Sequence, residues 1–245
     1  MGCMSSSIEK YYEFSTNDEE KSIRDWERKM GFFRNSFGNI YPILITDERV
    51  VNNSELLKTL IKRNYSDNFL NEVVLNKKLQ KDGQIDAQKL KDLVFLSTIH
   101  IECVTGSKAF CDKASFLFSE ANKDEEIEAN YPIERNNIHL MNFISDLYDM
   151  SCIILPEVYL KLAGQGREEV YTQFKNQEIK KDIISFFIKD LFTSKDGAEL
   201  NTLSFDELNT KFLKSPNIFT SGFIRAEAYA YLKSPEYTEK QKNNS

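Results

Sequence analysis

The chain has 245 residues and a formal net charge of −6. It is long enough to bury a core without disulfides or metals, and its acidic balance argues against nucleic acid as a partner, since phosphate binding depends on clustered Lys and Arg. Nine glycines and five prolines are few for this length, which excludes collagen-like, disordered and turn-rich all-β classes as first expectations.

The N-terminus carries a lipid-anchor pattern. Gly2 follows Met1 and Ser6 occupies the sixth position, which matches the myristoylation motif, while Cys3 lies where palmitoylation is common. A single acyl chain binds membranes only marginally, whereas two chains anchor a protein stably. We therefore predict that residues 1–14 are a flexible, doubly acylated segment, with an ordinary flexible start as the alternative.

Helical periodicity dominates the chain beyond this segment. Residues 15–30 begin with N-cap and carboxylate signals and carry an apolar stripe at Ile23, Trp26 and Met30. The apolar run 40–45 is typical of a β-strand. Further helices are predicted at 54–61, 69–79, 90–96, 110–118, 138–150, 179–192 and 205–212.

Turns and polar segments divide the chain. A Leu-Ala-Gly-Gln-Gly turn at 162–166 marks a boundary. We predict an N-terminal lobe at 15–160, which includes the start of a third helix-loop-helix unit, a C-terminal portion at 161–233 and a polar, frayed tail at 234–245. No run reaches about 18 apolar residues and no secretory signal is present, so we expect neither a membrane-spanning helix nor export.

Four helix-loop-helix units along the chain indicate an internal repeat. In the loop at 78–89, Gly83 and Ile85 have the spacing of calcium-binding EF-hand loops. There a glycine with positive φ occupies the sixth position, and an apolar residue at the eighth forms a short β-bridge with a paired loop. We therefore predict a mainly α fold of four EF-hand-like units in two lobes, with short β-bridges between paired loops.

The order of these segments is similar to that of a known family. Residues 81–90 resemble the second hand of calcineurin B-like proteins and neuronal calcium sensors, and 113–118 resemble the first helix of their third hand. Residues 203–208, followed by 214–217, resemble a terminal hand and a last short helix. The resemblance spans 20–232, and several family members also begin Met-Gly-Cys. It implies a protein that accepts a helical segment of a partner in an apolar groove.

The second loop departs from the calcium-ligand pattern. EF-hand loops place carboxylates at positions one and twelve, but here Lys78, Gln80 and Lys89 occupy positions one, three and twelve. Only Asp82 and Asp86 remain as acidic residues. Because two cations replace two anions, we predict that this loop does not bind calcium.

The third loop begins with Asn122, Asp124 and Glu126. It requires an insertion of about nine residues to bring Ile138 to the apolar position, which disrupts the ligand geometry. We predict a poor calcium site.

The fourth loop is the best remaining calcium candidate. Asp196 lies at position one and Glu207 at position twelve, but Ala198 and Leu200 replace oxygen ligands at positions three and five. Asp196 and Glu207 are therefore only weak calcium candidates. The first hand, within 33–60, has no recognisable ligand series.

Catalytic patterns are sparse. The two histidines, His100 and His139, lie in no sequence pattern typical of a catalytic triad. His100, Cys103 and Cys111 could contribute to a zinc site, but no C-x-x-C or H-x3-H pair supports one. We expect reduced thiols and no enzymatic activity.

The sequence favours a non-enzymatic, lipid-anchored EF-hand-like adaptor at a cytoplasmic membrane face. It would bind a helical segment of a protein partner largely without calcium and require no cofactor. The alternatives are a structural component of a ciliary or cytoskeletal assembly, a calcium sensor with one atypical loop and, last, an unrecognised enzyme.

Overall fold

The computed structural model describes residues 18–45, 65–74, 80–81, 84–100, 102–105, 108–123, 131–164, 171–194, 196–215 and 217–243. Some predictions lie outside these residues: the acylated N-terminus with Gly2 and Cys3, the helix at 54–61, and the loop positions Lys78, Asp82 and Gly83. Within the described residues the fold is mainly helical with short antiparallel strand pairs, which confirms the predicted class at this coarse level.

Helices and short strands alternate along the chain. The helices are α1 (Asp18–Met30), α2 (Phe37–Ile45), α3 (Asp67–Phe69), α4 (Ala87–Ser97), α5 (Asp112–Ala121), α6 (Ile138–Tyr148), α7 (Leu155–Ala163), α8 (Gln177–Leu191), α9 (Phe205–Lys214), α10 (Ser221–Leu232) and α11 (Pro235–Asn243). The strands are β1 (Gln80–Lys81), β2 (Gln84–Ile85), β3 (Glu102–Thr105), β4 (Lys108–Cys111), β5 (Ile133–Glu134) and β6 (Thr202–Leu203). Helix α3 continues as a π-helical turn over Leu70–Val74, and a 3-10 turn spans Gln173–Lys175.

Helix α1 forms where its signals predict it. Acidic residues fill its first turn and basic residues its last, which complements the helix dipole. Ile23 and Trp26 are buried and Met30 packs against the same core. Trp26 contacts Tyr159 of α7 edge-on, with ring centroids 5.6 Å apart. The predicted apolar stripe is therefore confirmed.

The strand predicted at 40–45 is wrong, because these residues belong to helix α2. Phe37 and Ile40 are buried, and Tyr41 stacks on Phe37 with ring centroids 4.7 Å apart. The helix packs against α4 and α5. A short apolar run suits a strand or a helix, so only these tertiary contacts distinguish the two.

The longest helix crosses the predicted domain boundary. Helices α6 and α7 are joined by the π-helical segment Asp149–Ile154 into one helix over Ile138–Ala163. By length and composition this helix could cross a membrane, which was not expected from the sequence, but 61% of the qualifying window is buried inside the protein. The boundary after residue 160 falls inside α7. The helix ends at Gly164, whose φ of 59° forms a left-handed C-cap in the predicted turn.

Aromatic side chains form the centre of the core. Phe95 of α4 is fully buried, and five rings lie within 6.4 Å of its centroid: Phe37, Phe116, Phe143, Phe212 and Phe219. The helices predicted at 90–96, 138–150, 179–192 and 205–212 are confirmed as α4, α6, α8 and α9. Of the helix predicted at 110–118, residues from 112 onward are helical, whereas Phe110 belongs to β4.

The C-terminal tail is a helix. The prediction of a frayed tail at 234–245 is wrong for α11, because two contacts attach this helix to the fold. Tyr237 packs against Tyr231 of α10 with ring centroids 5.6 Å apart. Lys240 Nζ donates to both carboxylate oxygens of Asp182 on α8, at 2.7 and 2.8 Å.

Candidate functional site

Two helix-loop-helix units pair through their loops. Helices α5 and α6 flank the first loop, and α8 and α9 flank the second. Strand β5 pairs antiparallel with β6, with Ile133 opposite Leu203 and Glu134 opposite Thr202. Ile133 and Leu203 are buried. Because α5 packs against α9 and α6 against α8, the four helices share one core. We call these four helices and their two loops the paired-loop region.

In the loop between α5 and α6, predicted as the third EF-hand loop, the apolar residue that pairs with the other loop is Ile133. The prediction of Ile138 at this position is wrong. Ile138 lies in the first turn of α6 and is 60% exposed. Asn137 caps this helix: its Oδ1 accepts a hydrogen bond from the Leu140 N–H, and its Nδ2 donates to the Ala121 carbonyl, both at 2.9 Å. Asn137 therefore ties both ends of the loop together through hydrogen bonds.

Arg135 joins the two loops beside the bridge. Its Nη1 donates to Glu199 Oε2 at 2.9 Å, and its backbone N–H donates to the Asn201 carbonyl at 3.0 Å. The hydrogen bond and positive charge of Arg135 hold the pKa of Glu199 below its usual range. Since the Glu199 side chain is 59% exposed, the ion pair mainly fixes the relative position of the loops and adds little to stability.

Glu207, the predicted twelfth ligand, caps its own helix. Its Oε2 accepts hydrogen bonds from the Ser204 N–H at 2.8 Å and from the Ser204 hydroxyl at 2.7 Å, and the two residues form a capping box at the start of α9. These bonds lower the pKa of Glu207. Asp196, the predicted first ligand, is exposed. Asp196 and Glu207 both line a cleft of about 610 Å³. Among the described residues, no group of three metal-binding side chains forms around this pair.

The loop at 78–89, predicted as the second EF-hand loop, forms a strand pair within itself. Gln80 of β1 lies opposite Ile85 of β2, which corrects the prediction that Ile85 bridges to another loop. Asp86 Oδ1 accepts hydrogen bonds from two backbone N–H groups as the N-cap of α4. The Lys89 ammonium donates to the Asp146 carboxylate of α6. Asp86 and Lys89 of this loop thus bind other groups of the protein.

Other helices of the chain cover the apolar side of the paired units. Helix α10 packs against α6 and α8, and α4 packs against α6. Phe219, just before α10, has a φ of 61° and lies 5.8 Å from Phe212 and 6.0 Å from Phe187 between ring centroids. The apolar side of the paired units is therefore covered by other helices of the chain in this conformation, and the groove for a partner helix stays a prediction.

An exposed apolar surface remains on the outer side of α6. Ile138 is 60% exposed and Met141, one turn later, is 38% exposed. We call these two residues the outer patch. Met141 also lines a cleft of about 600 Å³, whose other walls include Arg135 and Ile188.

A buried ion cluster connects α1 to α10. Arg225 is fully buried, and its Nε donates to both carboxylate oxygens of Glu20 at 2.9 Å. Its two Nη atoms donate to Glu27 at 3.0 Å, and Nη1 also donates to the Ser151 carbonyl. Burial raises the pKa of Glu20 to about 7 despite the charge of Arg225. Burial lowers the pKa of Arg225, but the two carboxylates outweigh it, so Arg225 stays charged.

Two of the three residues considered for zinc lie together in the structure. His100 and Cys111 lie together with Asp112, whose role the sequence did not indicate, and their potential ligand atoms are all within 4.8 Å of one another. Cys103 lies on β3, in register with Phe110. His139 lies in the first turn of α6, away from this group in the sequence and partly buried.

Comparison with known proteins identifies no relative. No protein-family model, curated protein or solved structure matches the chain. The geometry of the described residues therefore carries the functional argument.

Proposed function

We propose that this protein is a non-enzymatic, EF-hand-like adaptor that binds a protein partner without calcium. Acyl chains on Gly2 and Cys3 would hold it at a cytoplasmic membrane face. The observation that carries the proposal is the antiparallel pairing of Ile133 with Leu203 between two helix-loop-helix loops. Paired loops joined by a short β-bridge are the arrangement of EF-hand pairs.

Calcium independence is supported by the contacts that hold the loops. Glu207 is engaged by Ser204, and Asn137 closes the first loop. Arg135 places a positive charge between the two loops. A calcium ion would have to displace these hydrogen bonds, and it requires six to eight oxygen ligands. The paired loops are thus already stabilised by the interactions of the protein.

The outer patch is the proposed surface for the partner. Since the inner apolar side is filled by α4 and α10, a partner must either displace a helix or bind outside. Ile138 and Met141 expose apolar surface beside a cleft with Arg135 on its wall. An amphipathic helix with one apolar edge and an acidic residue for Arg135 fits this surface.

Calorimetry tests the calcium part of the proposal. Titration of the purified protein with calcium up to about 1 mM, the weak end of EF-hand affinities, should give no binding heat. The thermal midpoint should be the same in calcium and in chelator. Saturable binding that Glu207→Gln abolishes would instead identify a calcium sensor.

Site-specific photocrosslinking tests the adaptor part. A photoreactive amino acid at Asn142, an exposed position next to Met141, should crosslink a discrete partner in cells in the presence of chelator. Ile138→Glu with Met141→Glu should abolish the crosslink. Lys181→Glu is the matched control because it changes the net charge by the same amount at an exposed site on α8. Loss of the crosslink in the control, or its persistence in the double variant, would contradict the assigned surface.

Membrane fractionation tests the anchor. Gly2→Ala and Cys3→Ser should each move the protein from the membrane to the soluble fraction, because a single acyl chain anchors weakly. The outer-patch variant should remain at the membrane. An unchanged distribution in both acylation variants would favour an assembly component that needs no lipid anchor.

A further inference from the structure

Three potential metal ligands converge from separate parts of the chain. His100 follows α4, Cys111 ends β4 and Asp112 begins α5. Their potential ligand atoms lie within 4.8 Å of one another, and Cys111 is fully buried. The fold thus brings together an imidazole, a thiol and a carboxylate at one point.

The imidazole of His100 is buried with an unsatisfied nitrogen. Its side chain is 3% exposed, and no described residue forms a hydrogen bond with its Nδ1. The nearest acidic oxygen, Asp112 Oδ1, lies 3.7 Å away, which is too long for a hydrogen bond. Buried polar atoms nearly always have a partner, and this nitrogen is available to a metal ion in this conformation.

Neighbouring groups fix the orientation of Asp112. Its Oδ2 accepts a hydrogen bond from the Gly38 N–H at 2.5 Å. Any side chain at Gly38 would place its Cβ 2.5 Å from this oxygen, so only glycine permits the approach. With Oδ2 held by α2, Oδ1 is the oxygen that faces His100. Hydrogen bonds of this kind orient the ligands in metal sites.

The end of β4 is held in place as well. Asn209 of α9 accepts a hydrogen bond from the Cys111 N–H at 2.6 Å, and its amide donates to the Ala109 carbonyl at 3.1 Å. Asn209 is buried. The strand that presents the thiol is therefore anchored at Cys111 and at Ala109, two residues before it.

We propose that His100, Cys111 and Asp112 form a zinc site, with water as the fourth ligand. The set of thiolate, imidazole and carboxylate suits Zn²⁺, whereas calcium and magnesium prefer oxygen alone. On a tetrahedral zinc ion, an imidazole nitrogen and a carboxylate oxygen lie about 3.3 to 3.5 Å apart, so the 3.7 Å between His100 Nδ1 and Asp112 Oδ1 has to shorten only slightly on binding. The partly exposed Asp112 side chain leaves a path for water.

Binding changes the protonation of one ligand. The Cys111 thiol loses its proton to solvent as the sulfur–zinc bond forms, because zinc binds the thiolate, while His100 would supply a ring-nitrogen lone pair and Asp112 a carboxylate oxygen. The two negative ligands then balance the charge of the ion. The site would tie α2, α4, β4 and α5 together, and it is independent of the proposed adaptor function.

Metal titration of the full chain tests the site. Protein stripped with a chelator should bind one equivalent of Zn²⁺, with a rise in thermal midpoint. Co²⁺ should give the intense absorption of a thiolate-to-cobalt transition together with the visible bands of tetrahedral cobalt. Cys111→Ser should abolish the thiolate band. His100→Gln and Asp112→Asn should weaken zinc affinity by more than about 100-fold, since changes in outer-shell partners alone cost about 10- to 100-fold.

Two other cysteine variants serve as controls. Cys152→Ser removes a buried thiol outside the cluster, and Cys103→Ser removes the thiol on β3; both should keep the cobalt thiolate band. Circular dichroism of each metal-free variant establishes that it folds, and His100→Gln provides a second test if Cys111→Ser does not fold. Absence of stoichiometric zinc binding, or loss of the thiolate band only in Cys103→Ser, would overturn the assignment.

Discussion

Two arginines join distant parts of this chain to glutamates, one in the core and one at the surface. Arg225 contacts Glu20 and Glu27 with both members of each pair fully buried. Arg135 contacts Glu199 at the same distance of 2.9 Å, but these side chains are 34% and 59% exposed. The two contacts differ in number as well as in surroundings, because Arg225 donates to two carboxylates and a backbone carbonyl, whereas the Arg135 side chain donates to Glu199.

Burial changes what each contact does. A buried charge that loses its partner keeps the full cost of desolvation, whereas water replaces the partner of an exposed charge. The Arg225 cluster should therefore determine whether α1 stays docked on α10. The Arg135 contact should affect only the alignment of the two loops.

Arg225→Met gives the largest expected effect. Methionine fills much of the same space but removes the hydrogen bonds of Arg225 to both carboxylates, and the remaining nearby cation, Arg24, lies 3.9 Å from Glu20. The free energy of unfolding should therefore fall by about 3–5 kcal/mol. Urea unfolding measures the loss.

A double-mutant cycle with Glu27→Gln separates the ion pair from packing. Glu27 accepts hydrogen bonds from both Nη atoms of Arg225, so the coupling energy between the two residues should exceed about 1 kcal/mol. A coupling near zero would show that the arginine acts through its volume alone.

Lys113→Met extends the comparison to a buried charge that contacts no carboxylate among the described residues. Lys113 is fully buried, its Nζ has no hydrogen-bond partner among the described residues and lies 4.6 Å from the Phe95 ring centroid, and burial lowers its pKa from 10.5 to about 7. The unfolded chain binds the proton more tightly, so folding carries the full penalty below about pH 7 and none above about pH 10.5. Methionine should raise the free energy of unfolding by about 4 kcal/mol at pH 7.

The pH dependence distinguishes charge from packing at this position. The gain from Lys113→Met should shrink as pH rises from 7 towards 10.5, whereas Lys189→Met, at an exposed site on α8, should change stability little at any pH. Urea unfolding at several pH values provides the measurement. A gain that is constant with pH would mean that Lys113 has the same pKa in the folded and unfolded protein, and would contradict the lowered pKa.

Local patterns predict the helices of this chain better than its strands and ends. The spacing of Leu90, Leu93 and Val94 predicts α4, and Ser204 with Glu207 is the S-x-x-E pattern of a capping box. The same glutamate also fits position twelve of a calcium loop, and the sequence cannot distinguish these roles. The hydrogen bonds to Ser204 show that it acts as a cap in this conformation.

The groups that matter most for chemistry come from distant positions. Glu20 and Arg225 are 205 residues apart, and Gly38 lies 74 residues from Asp112. No periodicity links such pairs, so only the tertiary fold shows that they meet. Asp112 was missed for this reason, although its position directly after Cys111 would have been visible once a metal site was considered.

Glu20→Gln tests the electrostatics of the buried cluster by pH. Burial raises the pKa of Glu20 from 4.5 to about 7, so its contribution to stability is fully present below about pH 4.5 and is lost as pH rises through about 7. The wild-type protein should lose about 3 kcal/mol across this window from this group, and the variant should not. Glu178→Gln, at a side chain 71% exposed, should leave the profile unchanged. Parallel profiles for the wild type and Glu20→Gln would contradict the raised pKa.

Arg135→Met should have the smallest effect on global stability. Because the ion pair with Glu199 is exposed, the free energy of unfolding should fall by less than about 1 kcal/mol, and this loss should shrink further in high salt. The backbone bond from Arg135 to Asn201 and the pairing of Ile133 with Leu203 remain possible in the variant. Urea unfolding at low and high salt measures both quantities.

Hydrogen exchange measures the local consequence of Arg135→Met. Without the side-chain contact, the amides of the β5–β6 pair should exchange faster, while the amides of α1 and α10 keep their protection. In Arg225→Met the pattern should reverse, with α1 losing protection first. Equal loss of protection in both regions for either variant would mean that the loops and the α1–α10 contact open as one cooperative unit. The two arginines would then differ only in how much they contribute to the free energy of unfolding.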